Sequence, residues 1–215
     1  GHQLNLFLGP LFVVYKLASI IHLAAQLNLK NTACDYVPLF WMATEDHDFE
    51  EINHVHWAGQ KWSWETEESG AVGCFNPQKT QELILQLEKN FGFEQQAAPL
   101  FRILKVAYSK PTLAKATKYI ADQLFGAYGL LVLDPNEAKL KQQMIPCFEQ
   151  EIKFRTSFKT FGQHWTKGYK KQINARACNL FYLSPDGRNR LVQTEQSGWQ
   201  VDGLDQRFSE AELLT

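Results

Sequence analysis

The residues best equipped for chemistry lie together in Trp41-Met42-Ala43-Thr44-Glu45-Asp46-His47-Asp48-Phe49-Glu50-Glu51-Ile52-Asn53-His54, where five carboxylates and two imidazoles follow the apolar run Val37 to Ala43. Neighbouring acid and base groups such as Asp46, His47 and Asp48 can push one another's pKa values apart until one accepts a proton near neutrality. These three are the candidate catalytic residues, and Glu45 beside them is a candidate substrate contact. In an extended segment Asp46 and Asp48 share a face while His47 points away. The competing reading of the same stretch is a solvated acidic turn that caps a helix. His47, His54 and His56 with the carboxylates could also hold a metal, but their spacing matches no familiar ligand pattern and no metal is expected.

The elements that must position this cluster follow from the flanking patterns. Val37 to Ala43 is short, bounded and rich in aromatic and branched residues, so it reads as a buried strand. In open α/β sheets ligands bind beyond the carboxyl ends of the strands, which is where the acidic residues would sit. Upstream, Gly1 to Pro10 leads into a helix expected to start with Pro10 at its first position and to run to about Asn28, burying the stripe Leu11, Val14, Ala18, Ile21 and Ala25. Its free N-terminal amides favour a phosphate or carboxylate at Gly9 and Pro10, with Lys16 about two turns in and His2 and Gln3 upstream. Neither a Walker sequence nor G-x-G-x-x-G is present, and a plain turn opening a core helix explains the same residues equally well. Loop, helix and strand form the back half of a βαβ unit whose first strand is expected just before Gly1.

Further along, Val55 and Trp57 alternate against Trp62, Trp64 and Thr66 across Ala58-Gly59-Gln60, which predicts a hairpin. Helices are expected over 79–91, 97–109 and 113–125, stopped by Gly92, ahead of Pro111 and by Gly126. Leu130 to Leu133 reads as a second buried strand that returns to a parallel sheet, followed by a long helix over 136–161 that Pro146 should kink or divide. A strand, turn, strand arrangement is expected at Asn179–Leu183, Ser184-Pro185-Asp186-Gly187 and Arg188–Thr194. Of the basic residues Lys167, Lys170, Lys171 and Arg176, the lysines suit a solvated face, whereas Arg176 on a strand could grip a carboxylate with its guanidinium fork.

Composition limits the function classes. The 22 Lys and Arg against 23 Asp and Glu leave no positive field for nucleic acid or an anionic membrane, so small-molecule substrates are the better expectation. Lys16, Ser19 and His22 interrupt the longest apolar stretch, and no membrane-spanning segment is expected. Cys34, Cys74, Cys147 and Cys178 form no C-x-x-C pair; they read as reduced thiols and apolar fillers in a cytoplasmic protein. Gly1 in place of an initiator Met, and a capping box at Ser209 to Glu212 whose helix would run past Thr215, suggest an internal piece of a longer protein.

Three stretches then carry a resemblance. Gly1-His2-Gln3 with Leu6-Phe7-Leu8-Gly9-Pro10-Leu11 and Tyr15-Lys16, Val37-Pro38-Leu39-Phe40-Trp41 with Glu45 through His54, and Asn174 to Arg176 with Asn179-Leu180-Phe181-Tyr182-Leu183 resemble the bacillithiol-biosynthesis cysteine-adding enzymes, the BshC cysteine ligases. The resemblance implies an α/β fold with a Rossmann-like parallel sheet core, related to class I aminoacyl-tRNA synthetases and nucleotidyltransferases, with helical and β-hairpin insertions. It implies the first part of the core over 1–52, a connecting insertion over 53–128, a core strand and long helix over 129–161, and a second, β-rich insertion over 162–215. It further implies cysteine, glucosaminyl-malate and a nucleotide (ATP or ADP) as small-molecule ligands, Asn174 and Arg176 as substrate contacts, and a homodimer built by a coiled coil beyond this chain. The implied reaction joins cysteine to glucosaminyl-malate through an amide bond. Where the synthetases carry His-x-Gly-His this chain has Leu8-Gly9-Pro10-Leu11, so a nucleotide-binding scaffold without catalysis is the alternative.

Overall fold

Alternation along the strand after Pro38 decides what the sheet buries. In the computed structural model, which describes residues 1–30, 33–92, 96–155, 176–185, 187–194 and 198–215, β1 (Leu39–Trp41) runs parallel to β4 (Leu131–Leu133), with Leu39 opposite Leu131 and Trp41 opposite Leu133. The first strand expected ahead of Gly1 is represented by one parallel bridge inside the chain, His2 to Met42. His2 N donates to the Trp41 carbonyl at 3.2 Å and Ala43 N donates to the His2 carbonyl at 2.9 Å, so β1 is paired on both sides. The expectation of a wholly buried strand is corrected. Phe40 and Met42 point into the core at 2% and 1% exposure, while Leu39 and Trp41 remain 41% and 47% exposed. A uniformly apolar strand implies two covered faces, but the period of two covers only one here.

The chain divides into two compact units, Gly1–Asn136 and Glu137–Thr215. In the first, a 3-10 turn at Leu6–Leu8 precedes α1 (Leu11–Lys30). Pro10 stands before the helix rather than at its first position, and the Gly9–Pro10 peptide is cis. The buried stripe is Val13, Leu17 and Ala24; of the predicted one Val14 and Ile21 are half-buried, while Leu11, Ala18 and Ala25 are exposed. The helix is apolar around much of its circumference, with Phe12, Tyr15 and Leu23 also exposed, so periodicity could not select the inward face. For the same reason α1 is long and apolar enough to cross a membrane, contrary to expectation. In this fold its Val13 and Leu17 instead pack into the core.

The acidic segment turns into α2 (Phe49–Ile52) and then the hairpin β2 (His54–Trp57) and β3 (Gln60–Ser63). The two turn residues, Ala58 and Gly59, have φ of 50° and 76°, the left-handed pair that matches the twist of a two-residue hairpin. Helices α3 (Thr80–Phe91), α4 (Ala98–Ala107) and α5 (Leu113–Phe125) follow. Gly92 ends α3, and the Thr112 hydroxyl caps α5 by accepting from Lys115 N at 3.3 Å. Ile84, Phe101, Leu104, Leu113 and Ile120 join Leu4, Leu6, Phe40 and Met42 in one core, so the helical insertion packs against the strand layer.

In the second unit α6 (Ala138–Phe154) runs through Pro146 without being divided and ends at Arg155, whose φ is 49°. The predicted extension to Phe161 lies outside the described residues. Strands β5 (Phe181–Ser184), β6 (Gly187–Gln193), β7 (Trp199–Val201) and β8 (Arg207–Phe208) make an antiparallel sheet in sequence order. Ile152, Cys178, Leu191, Trp199 and Val201 form its core. The capping box forms as expected, with Ser209 and Glu212 exchanging hydrogen bonds at the start of a short helix, Glu210–Leu213. Of the cysteines only Cys178 is an apolar filler; Cys34, Cys74 and Cys147 are exposed.

Candidate functional site

The acidic segment leaves β1 through a turn. Asp46 N donates to the Ala43 carbonyl at 3.3 Å, and Val72 N donates to the Asp46 carbonyl at 2.7 Å, which fastens the segment to the loop after the hairpin. Asp46 is half-buried, whereas His47 and Asp48 are exposed. Asp46 Oδ1 accepts from His47 N at 2.9 Å and lies 3.8 Å from His47 Nδ1. The three therefore sit in a turn rather than along an extended strand. Asp48 stands at the N-cap of α2 without a side-chain capping bond. Glu45 is half-buried beside them.

Gln3 ties the opening loop to this segment. Its Nε2 donates to Asp46 Oδ2 at 3.2 Å and to Glu51 Oε2 at 2.5 Å, holding two carboxylates on one neutral amide. Asn5 Nδ2 adds a bond to the Glu51 carbonyl at 3.2 Å. His2 packs edge-on against Phe12 with ring centroids 5.1 Å apart, and its buried Nε2 has no hydrogen-bond partner among the described residues. Burial, then the nearby Lys16 and the N-terminal amine, lower the His2 pKa and favour its neutral ring. Lys16 Nζ donates to the Gly1 carbonyl at 3.2 Å. At the helix front Gly9 N–H is spent on the Leu6 carbonyl at 3.0 Å and Val13 N–H on that of Pro10 at 2.9 Å. The amides of Leu11 and Phe12, in the first turn, are thus the ones available to an anion.

Two residues that sequence reasoning missed lie at the carboxyl ends of the parallel strands. Thr44 is fully buried, and its hydroxyl donates to Asp134 Oδ1 at 2.5 Å. The same oxygen accepts from Asn136 N at 2.9 Å. The available signal was positional, since Asp134 follows β4 directly and Thr44 comes three residues after the end of β1. Gly73 closes this corner. Its N–H donates to the Thr44 carbonyl at 3.0 Å, and a Cβ there would stand 2.6 Å from that of Thr44.

A cavity of about 660 Å³ opens beside the acidic segment. Its walls are the Leu6–Leu8 turn, Gly9, Pro10, Leu11 and Val14, the stretch His54–Trp57, Glu51, and Leu87, Phe91, Leu100, Phe101 and Leu104 from α3 and α4. The helix front and the end of the acidic segment therefore share one opening, while Asp46, His47 and Asp48 lie off its lining. Phe7 and Leu8 hold successive left-handed conformations at φ of 58° and 60°, which a non-glycine backbone adopts only when its surroundings impose it. The buried Tyr108 hydroxyl imposes it by accepting from Phe7 N at 2.7 Å.

Other predicted residues are elsewhere. Arg176 belongs to the second unit, exposed and in a loop rather than on a strand, and Asn174, Lys167, Lys170 and Lys171 lie outside the described residues. Among the described residues no three His, Cys, Asp or Glu side chains converge on a metal position. His54 and His56 meet only edge-on, with centroids 5.3 Å apart.

Over residues 1–215 the chain matches the family described as bacillithiol biosynthesis BshC, N-terminal Rossmann-like domain. It is 39% identical over its whole length to the protein named "Putative cysteine ligase BshC" of Flavobacterium psychrophilum, and covers 41% of that protein. It is 37% identical to the Flavobacterium johnsoniae protein of the same name, again over all of the chain and 41% of the relative. A Staphylococcus haemolyticus relative with that name is 28% identical, over all of the chain and 43% of its own length. The chain thus spans about two fifths of these curated relatives. The parallel pairing around β1, the segment at its carboxyl end and these matches together place the chain in the BshC family of bacillithiol biosynthesis, within its N-terminal Rossmann-like domain.

Proposed function

We propose that this chain supplies part of the active site of a ligase that joins cysteine to glucosaminyl-malate through an amide bond, the last step of bacillithiol formation. The observation that carries the reading is the convergence of the opening loop and helix front on the acidic segment, tied by Gln3 to Asp46 and Glu51. A free carboxylate is a poor acceptor for an amine, so the cysteine carboxyl needs activation, and ATP as co-substrate would supply it. The residues fit a phosphate or carboxylate on one side: the first-turn amides of Leu11 and Phe12 at the Gly9-Pro10 entrance, with the exposed Lys16 and the half-buried Gln3 and His2 near the chain start. Asp46, His47 and Asp48 would take the proton released as the sugar amine bonds to the cysteine carbonyl carbon, and Glu45 would help to orient the substrates. Asn174 and Arg176 are assigned as further substrate contacts on the family resemblance alone, the Arg176 guanidinium suiting a carboxylate.

Full-length protein incubated with cysteine, glucosaminyl-malate and ATP should yield the conjugate, followed by mass spectrometry together with AMP or ADP. Changing Asp46 and His47 together to Ala should lower turnover by about 100-fold or more, the span of a lost acid–base group. Undiminished turnover in that variant would refute the role assignment. The Leu8-Gly9-Pro10-Leu11 sequence at the helix front favours a second reading, a nucleotide-binding scaffold without catalysis; conjugate formed by purified protein alone eliminates it.

A further inference from the structure

The cavity beside the helix front has an uneven chemistry. Most of its surface is hydrocarbon or aromatic, including Phe7, Trp57, Phe91 and Phe101. Among the described residues its lining contains no Lys or Arg, and Glu51 is its one carboxylate. Glu51 accepts from the uncharged Gln3 amide and, among the described residues, pairs with no cation. His54, also in the lining, has Nδ1 2.9 Å from Asn53 Oδ1. In the neutral ring that contact makes Nδ1 the donor and leaves Nε2 an acceptor. Burial, followed by Lys61 and His56, lowers the His54 pKa against the opposing hydrogen bond to the Glu50 backbone, and so favours the neutral ring. At the Glu51 and His54 end the wall therefore offers acceptors and negative charge beside an apolar expanse, away from the free Leu11 amide at the helix front.

We infer that this cavity binds a molecule with a primary ammonium group on a largely apolar body, the ammonium held at Glu51 and His54 and the body against the aromatic and aliphatic wall. At the Glu51 and His54 end of the described lining a phosphate or dicarboxylate meets no counter-charge and is repelled by the exposed Glu51 carboxylate. An uncharged alkyl chain would fill the space but leave the carboxylate unanswered. An ammonium satisfies both, because a charge-assisted hydrogen bond to a carboxylate is about twice as strong as a neutral one. The inference goes beyond the ligase reading and does not depend on it, since it rests on the cavity lining alone.

The test uses full-length protein with three probes of equal length: hexylamine, hexanol and hexanoate. Binding is followed by calorimetry and by the fluorescence change of Trp57, with Trp57→Phe identifying its share of the signal. Hexylamine should bind most tightly and hexanoate least. Glu51→Gln should weaken hexylamine by about tenfold or more, the loss of a hydrogen bond to a charged group, and leave hexanol unchanged. Leu100→Trp, which fills the space, should abolish binding of all three while circular dichroism shows the fold retained. Equal affinity for hexanoate and hexylamine, an unchanged hexylamine affinity in Glu51→Gln, or no binding of any probe would overturn the inference. Should Glu51→Gln misfold, the order of the three probes on the unaltered protein still decides. The conjugate assay is separate, so failure here leaves the ligase reading standing.

Discussion

At the scale of single residues, Gly73 sets how closely the loop after the hairpin approaches the end of β1. Backbone and side-chain atoms of Thr44 lie within 3.0 Å of where a Cβ would be, and these atoms belong to a buried residue that cannot swing away. Gly73→Ala should therefore push the loop off Thr44, strain the Thr44–Asp134 hydrogen bond, and lower stability by about 1–3 kcal/mol in urea unfolding. A change below about 0.5 kcal/mol would mean that the corner yields. The candidate acid–base residues were legible because their chemistry is explicit in their names. Thr44 and Asp134 were not, because their importance comes from a contact across 90 residues of sequence that no local pattern encodes.

Elements show a similar division. The hairpin was legible from alternation around Ala58-Gly59, and α5 has the bounds its caps predict, Leu113 to Phe125. The hairpin turn is nevertheless imperfect, since Ala58 carries a Cβ at φ 50°. Ala58→Asn should raise stability by about 0.5–1 kcal/mol, because asparagine tolerates the left-handed region that alanine resists. A shift in the urea midpoint measures it. The inward face of α1 was not legible. A helix apolar on several sides satisfies the same periodicity at more than one phase, and only the packing of Val13 and Leu17 against the core selects one. Of the two outcomes expected at Pro146, division of the helix does not occur, because removing one hydrogen bond weakens a helix without having to break it.

At the scale of the whole molecule, the parallel pairing of β1 and β4 was legible although Trp41 and its partner Leu133 are 92 residues apart, because two apolar runs flank a block of helical periods. The division at Asn136 was not, since it follows from where contacts are sparse rather than from any sequence signal. Protonation also acts globally. His2 and His54 both have pKa values lowered by folding, so below the ordinary value of 6.5 the unfolded chain binds more protons than the native one. Stability should hold above that value and fall as pH drops through it, and His2→Gln should flatten the fall in unfolding curves taken between pH 7 and pH 5. A profile identical to the unaltered protein would show that His2 titrates normally.

The Tyr108 hydroxyl joins two parts of the first unit that are 101 residues apart, the residue closing α4 and the backbone of Phe7 at the cavity wall. A packed ring and one hydrogen bond make this a mechanical linkage. Tilting α4 drags on the left-handed turn, and whatever braces that turn steadies the helix in return. Guests in the cavity and the rigidity of the helical insertion are consequently two ends of one lever, so amide exchange along α4 should slow when the cavity is filled.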